Sequence, residues 1–400
     1  MVESNPDVAI VGGGICGLTT ALAFERRGWT PTVYEAASEY RPIGAGLLLQ
    51  TNALRVFDRL GIADRIRAAG VPLNEGLIRS ASGRILTRFD LDRVERSQFG
   101  YGFIAIHRAE LQRILLAELD TDVRTDMTCE AVAATTPPTA RFADGTQIHP
   151  DILIGADGIN SVVRNEITAN VEPTELDSIV YRAVTTVTLP DDYRSQGVEI
   201  WGNGTYTGGA PIDDNRFYWF ATAPGEVSSN STAFPESIAT LRDRYAEYPE
   251  PIPTVVNSLN PEDVFVTGLT EVPALETWYR GSVVITGDAA HGMLPFAGQG
   301  AAQAIEDALA LAHALDTHAN PELAFAAFEA ERKPRADRIR ADSHRLGALA
   351  TIQSGIGTYA RNLAVRLLPS AVVRRLRRLR AAQTSLPESR VKEAPSDSPR

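Results

Sequence analysis

The residues best placed for chemistry are glycines and acids that follow short apolar runs. The first set is Gly12-x-Gly14-x-x-Gly17, directly after the apolar run Asp7 to Val11. Gly12 permits a tight turn, Gly14 lets the backbone approach a pyrophosphate, and Gly17 lets the next helix pack close to the sheet. A helix starting here offers free N–H groups and its positive dipole end to phosphates. Glu35 ends the next strand about 20 residues on, where a carboxylate accepts hydrogen bonds from ribose hydroxyls. A lone G-x-G-x-x-G is an ordinary glycine turn. With strand, helix and acid all in place it reads as a nucleotide site, with NAD and FAD both open.

Two further sets share this grammar. Asp151-Ile-Leu-Ile-Gly155-Ala156-Asp157-Gly158 continues to Ser161 and Arg164. Val283-Val284-Ile285-Thr286-Gly287-Asp288-Ala289-Ala290-His291 leads to Pro295, Gly298, Gln299 and Gly300. In the latter, a strand delivers Asp288 to its carboxyl end, where it suits a sugar or ribityl hydroxyl. The N–H groups of residues 298–301 suit partial negative charge, such as that on the N1–C2=O edge of a reduced flavin. Taken singly, each set is also a buried strand followed by a capped turn.

The elements that must hold these residues alternate between strand and helix. A helix is expected over 15–27, closed by Gly28, and a strand over 32–35, giving a βαβ opening and a parallel sheet. Helices are expected over 52–60 and 108–119, and strands over 141–146 and 151–154. Between 177 and 266 the texture changes to β-branched and aromatic runs (179–189, 197–201, 216–223), which reads as an inserted antiparallel sheet. The α/β frame resumes with a strand over 282–286 and a helical pattern over 299–350. The resulting division is 1–175 and 271–350 for the nucleotide-binding frame and 176–270 for the inserted sheet. C-terminal helices over 351–381 and a disordered tail over 382–400 complete it.

Composition narrows the function classes. The chain has 400 residues with a formal charge of −11, which argues against broad nucleic-acid binding. No apolar run reaches the roughly 18 to 20 residues of a spanning helix, and the start is short and acidic rather than signal-like, so a cytoplasmic protein is expected. Cys16 and Cys129 are the only cysteines, and the six histidines fall in no ligand frame, so no metal site is expected. Residues 361–380 hold seven arginines, with Val365, Leu368, Val372, Leu376 and Leu379 at helical spacing and Pro369 dividing the segment. The favoured reading is a terminal helix packed on the body with a solvated basic face; weak association with an anionic membrane is the alternative.

Jointly, the three sets resemble the group A flavoprotein monooxygenases, the p-hydroxybenzoate-hydroxylase-like family, and especially its salicylate- and urate-hydroxylase-like branch. The resemblance spans about residues 7–370. It takes in Gly44-Ala45-Gly46 ahead of Asn52-Ala53-Leu54, and His107-Arg108-Ala109-Glu110-Leu111. It implies a glutathione-reductase-2-type, Rossmann-like FAD/NAD(P)-binding α/β fold with an inserted substrate sheet. FAD would be held by Gly12, Gly14, Gly17, Glu35, Arg108, Asp157, Gly287, Asp288, Pro295, Gly298, Gln299 and Gly300, with Arg108 near the FAD phosphates or ribityl chain. No second strand–GxGxxG–helix unit is present, which fits a family whose NAD(P)H visits transiently. The implied reaction uses NAD(P)H and O2, through a flavin C4a-hydroperoxide, to hydroxylate or epoxidise a small aromatic or unsaturated substrate. His291, beside Asp288, is then structural or cofactor-supporting.

For the substrate, Tyr181, Arg182, Trp201, Tyr206, Tyr218 and Trp219 are the candidates, each also a plausible packing residue. Tyr218 matches the tyrosine of the urate-hydroxylase-like branch, whereas Tyr206 stands where that branch has an arginine. This departure points away from urate, toward a less anionic or more apolar substrate. A monomer or homodimer is expected. The rival readings are a reductase or dehydrogenase on the same scaffold, a non-catalytic FAD-binding redox protein, and a flavin halogenase, whose W-x-W-x-I-P segment is missing.

Overall fold

A computed structural model of the chain describes residues 6–41, 45–91, 96, 100–168, 171–225, 237–369, 371, 372 and 375. Gly44 and the tail expected over 382–400 lie outside the described residues. The strand Val8–Val11 is buried at every position, as a run of apolar residues without alternation requires. It is central in a six-stranded sheet of order Tyr279–Arg280, Val283–Ile285, Ile152–Gly155, Val8–Val11, Thr32–Tyr34, Asp122–Arg124. All neighbours run parallel except the first pair. Parallel alignment sends the chain out of Val11, Gly155 and Ile285 at one end of three adjacent strands, with Val11 opposite Gly155 and Gly155 opposite Ile285. The three glycine/acid sets therefore converge, at the sheet end where such folds bind ligands.

The helix Ile15–Glu25 is buried on nearly all sides and packs against the helix Gly300–Thr317. The helical pattern over 299–350 is two helices. Asn320 Oδ1 accepts from the Leu323 N–H at 2.9 Å and starts Pro321–Ala350, with Pro321 in the first turn where its missing donor costs nothing.

The second sheet has seven strands: Val264–Glu271, Thr174–Thr186, Arg216–Pro224, Tyr206–Pro211, Gln196–Trp201, Glu75–Ser80 and Ile85–Asp90. It is antiparallel except where Gln196–Trp201 runs parallel to Glu75–Ser80. The sheet thus takes two strands from the first part of the chain, not from residues 176–270 alone. The strand Tyr206–Pro211 is hidden in the sequence by Gly208 and Gly209, which weaken β-propensity. Both are sterically required: a Cβ would fall 2.2 Å from Val198 O or 2.0 Å from Tyr218 O.

Strand alternation divides the candidates by face. Tyr181, Phe217 and Trp219 turn to the outer face and pack under the helices Ile238–Tyr245 and Ile252–Asn257. Trp219 Nε1 donates to Thr207 Oγ1 at 2.9 Å. Arg182, Tyr206, Tyr218 and Phe220 share the inner face, by their register across the sheet. At the C-terminus, Gly355–Leu367 is helical and precedes Pro369.

Candidate active site

Each glycine of the first loop has its own reason. Gly12 has φ +105°, and a Cβ there would sit 2.4 Å from Ala156 O. A Cβ on Gly17 would be 1.8 Å from Gly12 O, so helix and strand meet through bare backbone. Around Gly14 nothing lies within 4 Å of that position. The helix it opens has no side-chain cap and no acid in its first turn. Glu35 holds the loop: its carboxylate accepts from the Gly13 N–H at 2.6 Å and the Ala37 N–H at 2.8 Å. Each oxygen keeps a second lone pair for a ribose hydroxyl. An open cradle, uncapped N–H groups and an edge carboxylate fit the ADP half of a dinucleotide.

The two aspartates read alike in the sequence but are placed differently. Asp157 caps the helix Val162–Thr168, accepting from Ser161 Oγ at 2.5 Å and from the Val162 and Val163 N–H groups at 2.8 and 3.1 Å. Burial nevertheless pushes its carboxyl above the ordinary value. Nearby, the buried Arg164 donates to the carbonyls of Ile159, Val171 and Ala289, tying this turn to the Asp288 turn. Asp288 follows Gly287 (φ +61°) and is deeply surrounded by protein, yet its side chain stays open. That combination marks a group lining a cleft. Burial pushes its carboxyl up, while the charges of His291 and Arg108 pull it back. Arg108, exposed at the start of Arg108–Ala117, is near enough for its charge to act on Asp288.

Pro295 opens a short turn that ends at Gly298 (φ +60°), and Gln299 precedes the helix Gly300–Thr317. That helix has no side-chain cap and no acid in its first turn. No side chain caps its first N–H groups, which is compatible with the anion-binding role expected for residues 298–301. The Gln299 side chain is engaged elsewhere: its amide donates to Gln50 Oε1 at 2.5 Å, and its carbonyl accepts from Asn52 at 2.9 Å and Gln303 at 3.0 Å.

Beneath this helix lies a buried ionic network that the sequence did not reveal. Asp307 accepts from Arg332 Nε at 2.7 Å and the Gly287 N–H at 3.1 Å, and pairs with His291 Nε2 at 2.6 Å. Glu306 pairs with Arg332 and Arg335, and accepts from Asn52 Nδ2. Burial pushes Asp307 up, but His291 and Arg332 more than offset this and hold it at about 2. His291 is therefore a buried brace between the Asp288 turn and the helix behind it. Cys16 packs beside it against Thr286, and burial pushes its thiol up, as suits an inert packing residue.

Across the cleft, Tyr218 presses on the backbone of Gly46, where a Cβ would fall 2.5 Å from the Tyr218 Cβ. Arg182, beside Tyr218 on the inner face, donates from Nη1 to Thr267 Oγ1 at 3.0 Å. Burial pushes the Tyr218 hydroxyl up and Arg182 draws it back. The Tyr206 ring sits between Phe220 (5.0 Å) and Phe296 (5.2 Å), and burial together with the Glu199 charge pushes its hydroxyl well up. Phe220 and Phe296, not among the sequence candidates, carry the aromatic surface from the sheet to the Pro295–Gly298 turn. Trp201 packs at the edge of this surface under Arg361.

Fold and site together fit a dinucleotide-cofactor oxidoreductase with a second, seven-stranded sheet beside the nucleotide-binding frame. Residues 5–343 match the family model described as the FAD binding domain. The chain is 31% identical over 374 residues to the aurachin C monooxygenase/isomerase of Stigmatella aurantiaca, covering 92% of this chain and 96% of that one. It matches the 2-heptyl-3-hydroxy-4(1H)-quinolone synthase of Pseudomonas aeruginosa at the same identity and coverage. Klebsiella pneumoniae HpxO, crystallised with FAD and uric acid, shares the fold with a TM-score of 0.83 at 24% identity, over 94% of this chain and 96% of that one. The chain belongs to the FAD-binding-domain family of flavoprotein monooxygenases. It is an FAD-dependent oxidoreductase.

Proposed function

We propose that the protein uses NAD(P)H and O2 to hydroxylate an electron-rich, flat heteroaromatic substrate with one oxygen-bearing edge and an otherwise apolar body. One oxygen atom enters the substrate, the other leaves as water, and NAD(P)H supplies the two electrons. The observation that carries this reading is Tyr218 and Arg182 on one sheet face, beside an aromatic surface that reaches the Pro295–Gly298 turn ahead of the Gly300 helix.

Bound FAD would supply the redox chemistry, with Gly12, Gly14 and Glu35 at its ADP half. Asp288 and Arg108 would lie along its middle, and the Gly300 helix N-terminus at its ring. Tyr218 and Arg182 orient the substrate: a guanidinium-backed phenol donates to a carbonyl or hydroxyl oxygen and favours its anionic form, which enriches the ring in electrons. Tyr206 offers its ring, packed between Phe220 and Phe296, with the Glu199 charge beside its hydroxyl. That arrangement disfavours urate, which is polar on every edge, and favours ring systems such as the 4-quinolone named in the Pseudomonas aeruginosa relative. The test is a panel of phenols, aromatic acids, purines, isoprenoids and 4-quinolones, read by substrate-stimulated NAD(P)H oxidation and by product mass. Quinolones or hydroxylated N-heteroaromatics should respond most strongly. A clear preference for urate would refute the substrate reading.

A further inference from the structure

The helix Gly355–Leu367 has two unlike faces. Toward the body, Arg361 is 3% exposed and donates to the carbonyls of Ala350, Trp201 and Gly202 at 2.8–3.1 Å. Val365 packs beside it with Leu86 and Trp201. Away from the body point Ile356, Tyr359, Leu363 and Leu367, which are 86%, 70%, 42% and 71% exposed. Their spacing of three, four and four residues places them in one stripe. Among the described residues, seven of the eleven exposed large apolar side chains lie between 349 and 372. This is a patch rather than scatter.

Charge identifies what covers the patch. Residues 343–387 contain no aspartate or glutamate but eight arginines, in a chain whose net charge is −11. Arg366, on the exposed side of the helix, flanks the stripe. Pairing this face with a second copy of itself would bring two acid-free arginine clusters together. An anionic bilayer supplies both an apolar layer and negative headgroups.

We propose that this C-terminal helix docks the enzyme on an anionic lipid surface, its apolar stripe sunk into the interface and the exposed Arg366 and Arg375 at the headgroups. The body-facing side of the helix is then the packed one, and its exposed side is an apolar stripe with Arg366 at its flank; most arginines of the basic segment expected over 361–380 lie outside the described residues. Because Arg361 grips the carbonyls of Trp201 and Gly202, ahead of the Tyr206 strand, docking fixes that end of the substrate sheet at the lipid. Binding by one short helix is reversible.

The test is flotation of the full-length, FAD-loaded enzyme with vesicles of equimolar phosphatidylcholine and phosphatidylglycerol, against phosphatidylcholine alone. The enzyme should float with the anionic vesicles only, and less so in high salt. Leu363→Asp combined with Leu367→Asp should stay in solution while keeping its activity on a water-soluble substrate. Independently, Arg366→Gln and Arg375→Gln should each lower vesicle partition about five-fold, at about 1 kcal/mol per arginine. Failure to float, equal binding to both vesicle types, or unchanged binding by the leucine variant would overturn the proposal. So would a leucine variant whose only effect is to turn a dimer into a monomer.

Discussion

Gly12 and Gly14 are indistinguishable as letters, and the structure separates them. Gly12 is fixed by a positive φ and by backbone contact with Ala156, whereas Gly14 borders open space. Gly12→Ala should therefore lower thermal stability, at about 1–2 kcal/mol for the backbone alone and more for the contact. Gly14→Ala should melt like the parent yet lose FAD at least ~10-fold more readily in equilibrium dialysis, because its methyl fills the pyrophosphate cradle. Equal FAD retention by the two proteins would remove Gly14 from the site. Glu35→Ala should likewise weaken FAD, by roughly 1.5–3 kcal/mol for a charged hydrogen bond. On the substrate side, Arg182→Ala should raise KM about ten-fold, the loss of about 1.4 kcal/mol. Tyr206→Phe should change KM far less. A larger effect at Tyr206 would mean that its hydroxyl, not the Arg182–Tyr218 pair, meets the substrate. The residue types at the cleft were legible, since glycine turns and strand-end acids follow local rules. Which aspartate caps a helix and which faces the cleft depends on where the next turn goes, which no local pattern records.

At the scale of elements, the Gly300 helix is held from behind by charges that read in the sequence as a solvated surface. Glu306, Asp307, Arg332 and Arg335 sit on two helices and look like ordinary polar positions until those helices pack. Asp307 is held below its ordinary value of 3.8, at about 2. A depressed carboxyl contributes stability that is present above the unfolded value and lost as pH falls through the folded one. The loss should run from about pH 4 to pH 2 and amount to about 2 kcal/mol. Asp307→Asn should flatten this acid limb in urea titrations while lowering stability near neutral pH by about 3–5 kcal/mol, because Arg332 loses a buried partner. An acid limb identical to that of the parent would show that Asp307 does not carry it. The helix break at Asn320-Pro321 is a cap signal inside a long helical pattern. The Tyr206–Pro211 strand was invisible because the close approach of its neighbours demands glycine.

The whole molecule is joined by contacts far apart in sequence. The opening of the parallel frame was legible because the step from Val8–Val11 through the helix Ile15–Glu25 to Thr32–Tyr34 is local, and its two later strands were legible from repeated strand-end glycine/acid motifs rather than from their pairing. The pairing of Glu75–Ser80 with Gln196–Trp201 was not, since its register spans some 120 residues and leaves no local trace. That pairing makes the substrate sheet a shared wall rather than an inserted domain, and it places Tyr218 against Gly46. The central claim is that this wall and the FAD-binding sheet end form one oxygenating site. The most direct measurement follows NAD(P)H oxidation by the purified yellow protein with a 4-quinolone, with oxygen uptake and product mass recorded together. The account predicts substrate-stimulated oxidation, matching O2 consumption, and a product heavier by one oxygen atom. A product gaining two hydrogens without O2 uptake, or bound FAD that no member of the panel affects, would contradict it.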